Sequence, residues 1–170
     1  FADTPEEAKA KLAPLETCPL VSKGIDKSLN TPHTFEQLFD MSGGLWPGDL
    51  RNKVDALFYD CSPTGPMKVM GEHFKKTPSK KTVYMFAVFT GKTLPPPIPK
   101  DMAFSMTGRL YGGAWTMWDN AADDKANIAW HEECQKITDP FVVGRYVGET
   151  DTTVHLDYPA KCFSKENWQK

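Results

Sequence analysis

At 170 residues, with 40% apolar and 25% charged side chains, the chain can bury a continuous core, and its near-average composition suggests neither disorder nor a fibrous repeat. A formal net charge of −2 gives no broad attraction to nucleic acid or an anionic membrane, and Lys75, Lys76, Lys80 and Lys81 around Thr77-Pro78-Ser79 read as a solvated edge. No apolar run approaches the roughly 20 residues of a membrane span, so one compact domain over residues 1–170 is the expectation.

Thr4-Pro5-Glu6-Glu7 opens the first helix with a threonine cap, a proline at the first helical position and a glutamate three residues after the cap. Ala8, Leu12 and Leu15 share a face, and Pro14 ends or kinks the helix. An extended piece follows around residues 20–27. Thr34 to Phe39 repeats the capping logic for a brief second helix, before the turn-rich Gly43-Gly44 and Pro47-Gly48. From Lys53 to Tyr59, polar Lys53 and Asp55 alternate with apolar Val54, Ala56 and Phe58, the period of a strand with one face against helices. Ser62-Pro63 starts a helix in which Met67, Met70 and Phe74 form an apolar stripe, core filler by its spacing. Thr82 to Phe89 is almost continuously apolar and predicts a central strand, and the prolines of 94–99 predict a loop.

Thr107 to Trp118 predicts a long strand. Its even positions carry Leu110, Gly112, Ala114 and Thr116, and its odd ones Arg109, Tyr111, Trp115 and Met117. Alternation puts the small and aliphatic set under helices and leaves Arg, Tyr and Trp together on the other face, which reads as a ligand surface. Asn120 with Asp123 and Asp124 marks a helix start, followed by a stripe of Ala126, Trp130, Cys134 and Ile137. A strand over Val142 to Glu149 comes next, and Ser164 caps a last helix. The order predicts an α+β layer, one mainly antiparallel sheet with helices packed on one face and the other face turned to a ligand or partner.

Cys18, Cys61, Cys134 and Cys162 contain no CxxC pair, and four cysteines allow three disulfide pairings. His131 and Cys134, three apart on a helix, lack a second ligand pair, so a solvated His131 beside a core Cys134 is preferred to a metal site. No Gly-x-Ser-x-Gly turn supports hydrolase chemistry. Gly112-Gly113, inside a strand pattern, marks a bulge or the close approach of a flat ligand.

Residues 117–130, Met-Trp-Asp-Asn-Ala-Ala-Asp-Asp-Lys-Ala-Asn-Ile-Ala-Trp, resemble the strand-to-helix signature of the berberine-bridge-enzyme-like FAD-linked oxidases, and residues 139–149, Asp-Pro-Phe-Val-Val-Gly-Arg-Tyr-Val-Gly-Glu, resemble the helix exit and strand that follow it. Pro5-Glu6-Glu7-Ala8, Phe35 to Asp40 and Phe163 to Trp168 match the family's substrate domain in the same order, and the match is loose over residues 43–80. A start at Phe1, without methionine, reads as a processed or excerpted chain.

The resemblance implies a substrate-binding domain whose sheet covers the flavin ring of FAD. The cofactor would be held mainly by a separate FAD-binding domain or partner chain, and the isolated chain would not hold it. A small alcohol, sugar or aromatic substrate would pass a hydride to flavin. Within that reading Tyr111 is the candidate for a polar contact or base, Trp115 and Tyr84 for stacking walls, and Arg109 for an anionic substrate group, with Gly113 and Tyr146 completing the substrate contacts. The family commonly places a proton-accepting polar residue where Gly113 stands, or Tyr111 or Trp115 after a two-residue slip, and Gly148 replaces the asparagine of its Tyr-Val-Asn. Either the base comes from the FAD-binding half or the chemistry is altered. The alternative is a stand-alone binding module, with a homodimer as one form.

Overall fold

The computed structural model describes residues 2–24, 29, 31–89 and 101–170. The proline-rich segment 94–99 and part of the extended piece read at 20–27 lie outside the described residues; the described start of that piece contains a single 3-10 turn, Val21–Lys23. Two compact units divide the chain, residues 1–48 and 49–170.

Helices α1 (Pro5–Glu16) and α2 (Phe35–Leu45) belong to the first unit. Their starts follow from the cap residues: Thr4 Oγ1 accepts from the Glu7 amide at 3.2 Å, and Thr34 and Gln37 bond reciprocally at 3.2 and 2.8 Å. Helix α1 ends at Glu16, two residues after Pro14, and Thr17 closes the final turn with its amide and its hydroxyl on the Ala13 carbonyl, each at 3.2 Å. The end of α2 departs from expectation. Gly43 and Gly44 form the last turn of α2 instead of a loop, and the Trp46 amide closes it on the Gly43 carbonyl.

The second unit has the α+β architecture that the element order dictates. It comprises β1 (Arg51–Tyr59), α3 (Thr64–Phe74), β2 (Val83–Val88), β3 (Leu110–Trp118), α4 (Asp124–Thr138), β4 (Val142–Arg145) and α5 (Lys165–Trp168). Among the described residues the four strands form one antiparallel sheet in the order β2-β3-β1-β4. The apolar run of β2 therefore lies at an edge, not in the centre, and leaves Met85 and Val88 exposed.

Helices α3 and α4 pack on one face. Met70, Trp130 and Cys134 close over Ala114 with Val69, Phe74, Tyr84 and Ile137 around them, and Leu57, Tyr59 and Leu110 form a second cluster with Phe86, Phe141 and Val142. The Trp130 indole donates to the His73 carbonyl at 3.3 Å while the two rings stack 4.9 Å apart. Met70 is the core filler its spacing suggested, whereas Met67 is exposed.

The two-residue period sorts β3 as expected: Ala114 and Leu110 pack in the helix-side clusters, and Thr116 bonds α4. In β1 it is the polar set, Lys53 and Asp55, that faces α4, together with Leu57 and Tyr59. The reason lies in α4, whose buried positions include His131, Gln135 and Asn127 as well as Trp130 and Cys134, while Ala126 is exposed. His131 and Glu132 of α4 pair with Asp55 and Lys53 of β1, so the charged side of the strand can be the inner side.

On the opposite face Phe104 packs against Phe58, with ring centroids 5.9 Å apart, and Met106 occupies the space above Gly144. The cap of α5 forms as read, with Ser164 Oγ accepting from the Asn167 amide at 3.3 Å, and Asn167 Nδ2 donates in turn to the Met102 carbonyl at 2.7 Å. Among the described residues no helix is long and apolar enough to cross a membrane.

Candidate functional site

Alternation along β3 puts Tyr111, Gly113 and Trp115 on the face away from α3 and α4. Tyr146, just beyond β4, folds back over the same face. Its ring lies 5.8 Å from Tyr111 and 6.2 Å from Phe104, both nearly edge-on, and Phe58 stands 5.4 Å from Tyr111. Such tilted aromatic contacts hold rings in place by their quadrupoles as well as by burial. A Cβ on Gly148 would stand 3.1 Å from the Tyr146 ring, so a bare backbone at 148 leaves room for this ring position. Phe58 and Trp115 are buried, Tyr111 is half-buried and Tyr146 is exposed.

The remaining sequence-predicted residues lie elsewhere. Tyr84 belongs to the core beneath α3 and α4, on the other side of the sheet from Tyr111, where burial and the neighbouring Tyr59 push its phenol far above the ordinary value. It is not a wall of the Tyr111 face. Arg109 precedes β3, is exposed and pairs with Asp60 at 3.3 Å. At Gly113 a Cβ would overlap the Asp55 carbonyl oxygen of β1. The approach of a neighbouring strand thus accounts for this glycine by itself.

Sequence reading missed Glu149. Residues 142–149 read as one strand, but β4 stops at Arg145 and a single 3-10 turn, Val147–Glu149, follows. That turn brings the Glu149 carboxylate to the tyrosine: Tyr111 Oη donates to Glu149 Oε2 at 2.5 Å. Burial first, and then the bonded carboxylate, push the Tyr111 phenol well above its usual value. At neutral pH Tyr111 is therefore a hydrogen-bond donor, and the acceptor of the pair is the carboxylate.

Neither a family model nor a curated protein matches this sequence.

A second polar constellation lies on the helix side. His131 Nε2 is 3.0 Å from Asp55 Oδ2 and Nδ1 is 2.8 Å from Thr116 Oγ1. In the neutral ring the first nitrogen donates to the carboxylate and the second accepts from the hydroxyl. Asp55 Oδ1 accepts the Asp151 amide at 3.2 Å and lies 3.6 Å from Arg145, whose guanidinium donates to Gln135 and sits 3.5 Å over the Tyr158 ring. The expectation of a solvated His131 is overturned. A hydroxyl–imidazole–carboxylate series has the order of a nucleophile relay, but Thr116, His131 and Asp55 are each 0% exposed, so no substrate reaches the hydroxyl. The series holds β1, β3 and α4 together. Cys134 takes no part: it packs in the core, where burial pushes its thiol up to about 12.

Outside this network opens a cleft of about 780 Å³, lined by Arg51, Lys53, Asp124, Glu132, Asp151 and His155 among others. Lys53 bridges Asp151 at 2.8 Å and Glu132 at 3.2 Å, and His155 pairs with Glu132 at 2.9 Å. Burial disfavours the charged form of Asp151, but the Lys53 ammonium, the Thr153 hydroxyl and the amides of Thr153 and Val154 outweigh it and hold the carboxyl well below the ordinary range. The unfolded chain then takes up this proton first as pH falls, so the group stabilises the fold above the unfolded carboxylate range, about 4, and that contribution is lost in acid. Between pH 7 and 3 the urea midpoint of Asp151→Asn is expected to fall less than that of the wild type. Parallel pH profiles would show that Asp151 carries no such linkage.

Proposed function

We propose that this chain is the substrate-facing part of an FAD-dependent oxidoreductase that oxidises a small alcohol, sugar or aromatic substrate by hydride transfer to flavin. One observation carries the reading: the face of the antiparallel sheet away from α3 and α4 holds Tyr111 and Tyr146 beside a hydrogen-bonded carboxylate, Glu149. The donor set fits one wall of a flavin site, with aromatic edges and the exposed Met85 available to a planar ring and a donor–acceptor pair available to a substrate hydroxyl. It does not fit the rest of the cofactor. The sequence holds no glycine-rich phosphate turn, so the phosphates and adenine fall to an FAD-binding domain or partner chain.

When bound, the flavin would supply the two-electron acceptor. The residues of this chain would orient the substrate. Tyr111 offers its hydroxyl to the substrate oxygen, Tyr146 closes the side of the site, and buried Phe58 and Trp115 keep the floor rigid. Absorbance spectra test the reading. The chain alone is expected to lack the flavin bands near roughly 370 and 450 nm, and its complex with a flavin-binding partner to show them. Flavin-free samples in both cases would overturn it.

A specific feature favours a second reading, partner docking without redox chemistry. Helix α2 leaves Phe35 92% and Phe39 77% exposed one turn apart, with Leu38 and Met41 also exposed, and an apolar stripe of this kind marks an interaction surface. A flavin-free homodimer that Phe35→Ser with Phe39→Ser disperses in sedimentation would support that reading over the first.

A further inference from the structure

We infer that Glu149 is the proton acceptor for the substrate hydroxyl and that Tyr111 is the residue that positions the substrate oxygen; the assignment rests on the proposed oxidoreductase function. Three observations converge on it. Glu149 is half-buried on the face that carries Tyr111 and Tyr146, not in the paired charges of the Lys53 cleft. Its Oε2 already takes a proton-bearing oxygen at 2.5 Å, and among the described residues its Oε1 makes no hydrogen bond. The phenol beside it stays protonated, so a carboxylate is the basic member of the pair. A substrate hydroxyl entering between them would accept from Tyr111 and donate to Glu149.

The atoms balance. The substrate O–H bond breaks and its proton goes to the Glu149 carboxylate. The carbon–oxygen double bond forms, and the hydrogen on carbon leaves with its electron pair to the flavin of the proposed function. Product release must then return the Glu149 proton to solvent, which half-burial allows. The substrate class is accordingly an alcohol with a hydrogen on the carbinol carbon, including a sugar hydroxyl or hemiacetal.

Glu149→Gln keeps the shape and removes the base. In the assembled flavoprotein the substrate-driven loss of flavin absorbance is expected to slow about 100- to 10,000-fold, the usual scale of general-base removal, with substrate affinity changed much less. Tyr111→Phe is expected to weaken substrate affinity more than it slows reduction, and Glu149→Asp to recover part of the rate. A readout independent of the cofactor accompanies these: in the chain alone, Tyr111 should titrate at lower pH in Glu149→Gln, because its burial remains while the bonded carboxylate whose charge opposes its ionisation is gone. Flavin taken up normally and reduced at the wild-type rate by Glu149→Gln would overturn the assignment and leave the flavin reading standing. An unmoved Tyr111 titration would overturn it as well, by dissolving the pair. Wild-type assemblies without flavin would overturn the function and this inference together.

Discussion

Asp55→Ala is expected to remove about 3–5 kcal/mol of unfolding free energy, the scale found when one partner of a buried charged network is deleted. Stabilities of single domains are about 5–15 kcal/mol, so the variant would stand near the limit of folding. Asp55 is the acceptor shared by His131 and the amide of Asp151, it faces the Arg145 guanidinium at 3.6 Å, and it is 0% exposed. Truncation leaves the fully buried His131 without its acceptor and Arg145 without its counter-charge, and water cannot reach the imidazole without opening the packing of α4 on β1. Asp55→Asn retains an acceptor oxygen and the shape, and should lose less than the alanine variant. Urea unfolding followed by far-ultraviolet circular dichroism measures both. A loss below about 1 kcal/mol for Asp55→Ala would mean that the donors find other partners, and the network would not be what joins sheet and helix.

That network also marks the limit of what could be read in advance. The alternation of β1 was visible, but which face it buries depends on what α4 presents, and α4 buries a histidine and a glutamine where apolar periodicity points to Ala126 and Ile137. Polar residues read as solvent-facing unless a partner is known, and Asp55 and His131 are 76 residues apart. Local rules did better where the cause is local. The caps at Thr4, Thr34 and Ser164 formed as their side chains dictate, and the sorting of Leu110, Ala114 and Thr116 against Tyr111 and Trp115 followed from the strand period alone.

The candidate site was half legible for the same reason. Tyr111 and Trp115 share a face because they are two apart twice over, and Tyr146 joins them through the return of β4. Tyr84 was misplaced because an apolar run gives no phase: in such a segment either set of alternating side chains can face the helices, and the register with β3 puts Tyr84 opposite Ala114 on the inner face. Glu149 was missed because the strand was read four residues too long. The three-residue spacing of Tyr146 and Glu149 gave one available sign, since a turn brings residues so spaced to one side, whereas a strand sends them to opposite sides.

Gly112→Ala is expected to be the most damaging single-methyl addition in the second unit. Gly112 has a φ of +151°, a conformation costly to any residue with a Cβ, and a Cβ there would overlap the Met85 carbonyl oxygen and stand 3.0 Å from the Phe86 Cα. Both obstacles are backbone atoms of β2, so no side-chain rotation relieves them; the strand must move. Overpacking at about 1–3 kcal/mol and backbone strain at about 1–3 kcal/mol together predict a loss of about 3 kcal/mol or more. Because β2 is the edge strand against β3, the damage should be directional: amide exchange in Val83–Val88 should accelerate before that of the β1–β3 ladder. Gly71→Ala supplies the contrast. It lies in α3 with nothing within 4 Å of the added methyl, and alanine favours a helix over glycine by about 0.8–1.0 kcal/mol, so that variant should gain stability. Equal effects at the two positions would show that the close approach of β2 to β3 does not govern the tolerance of this sheet.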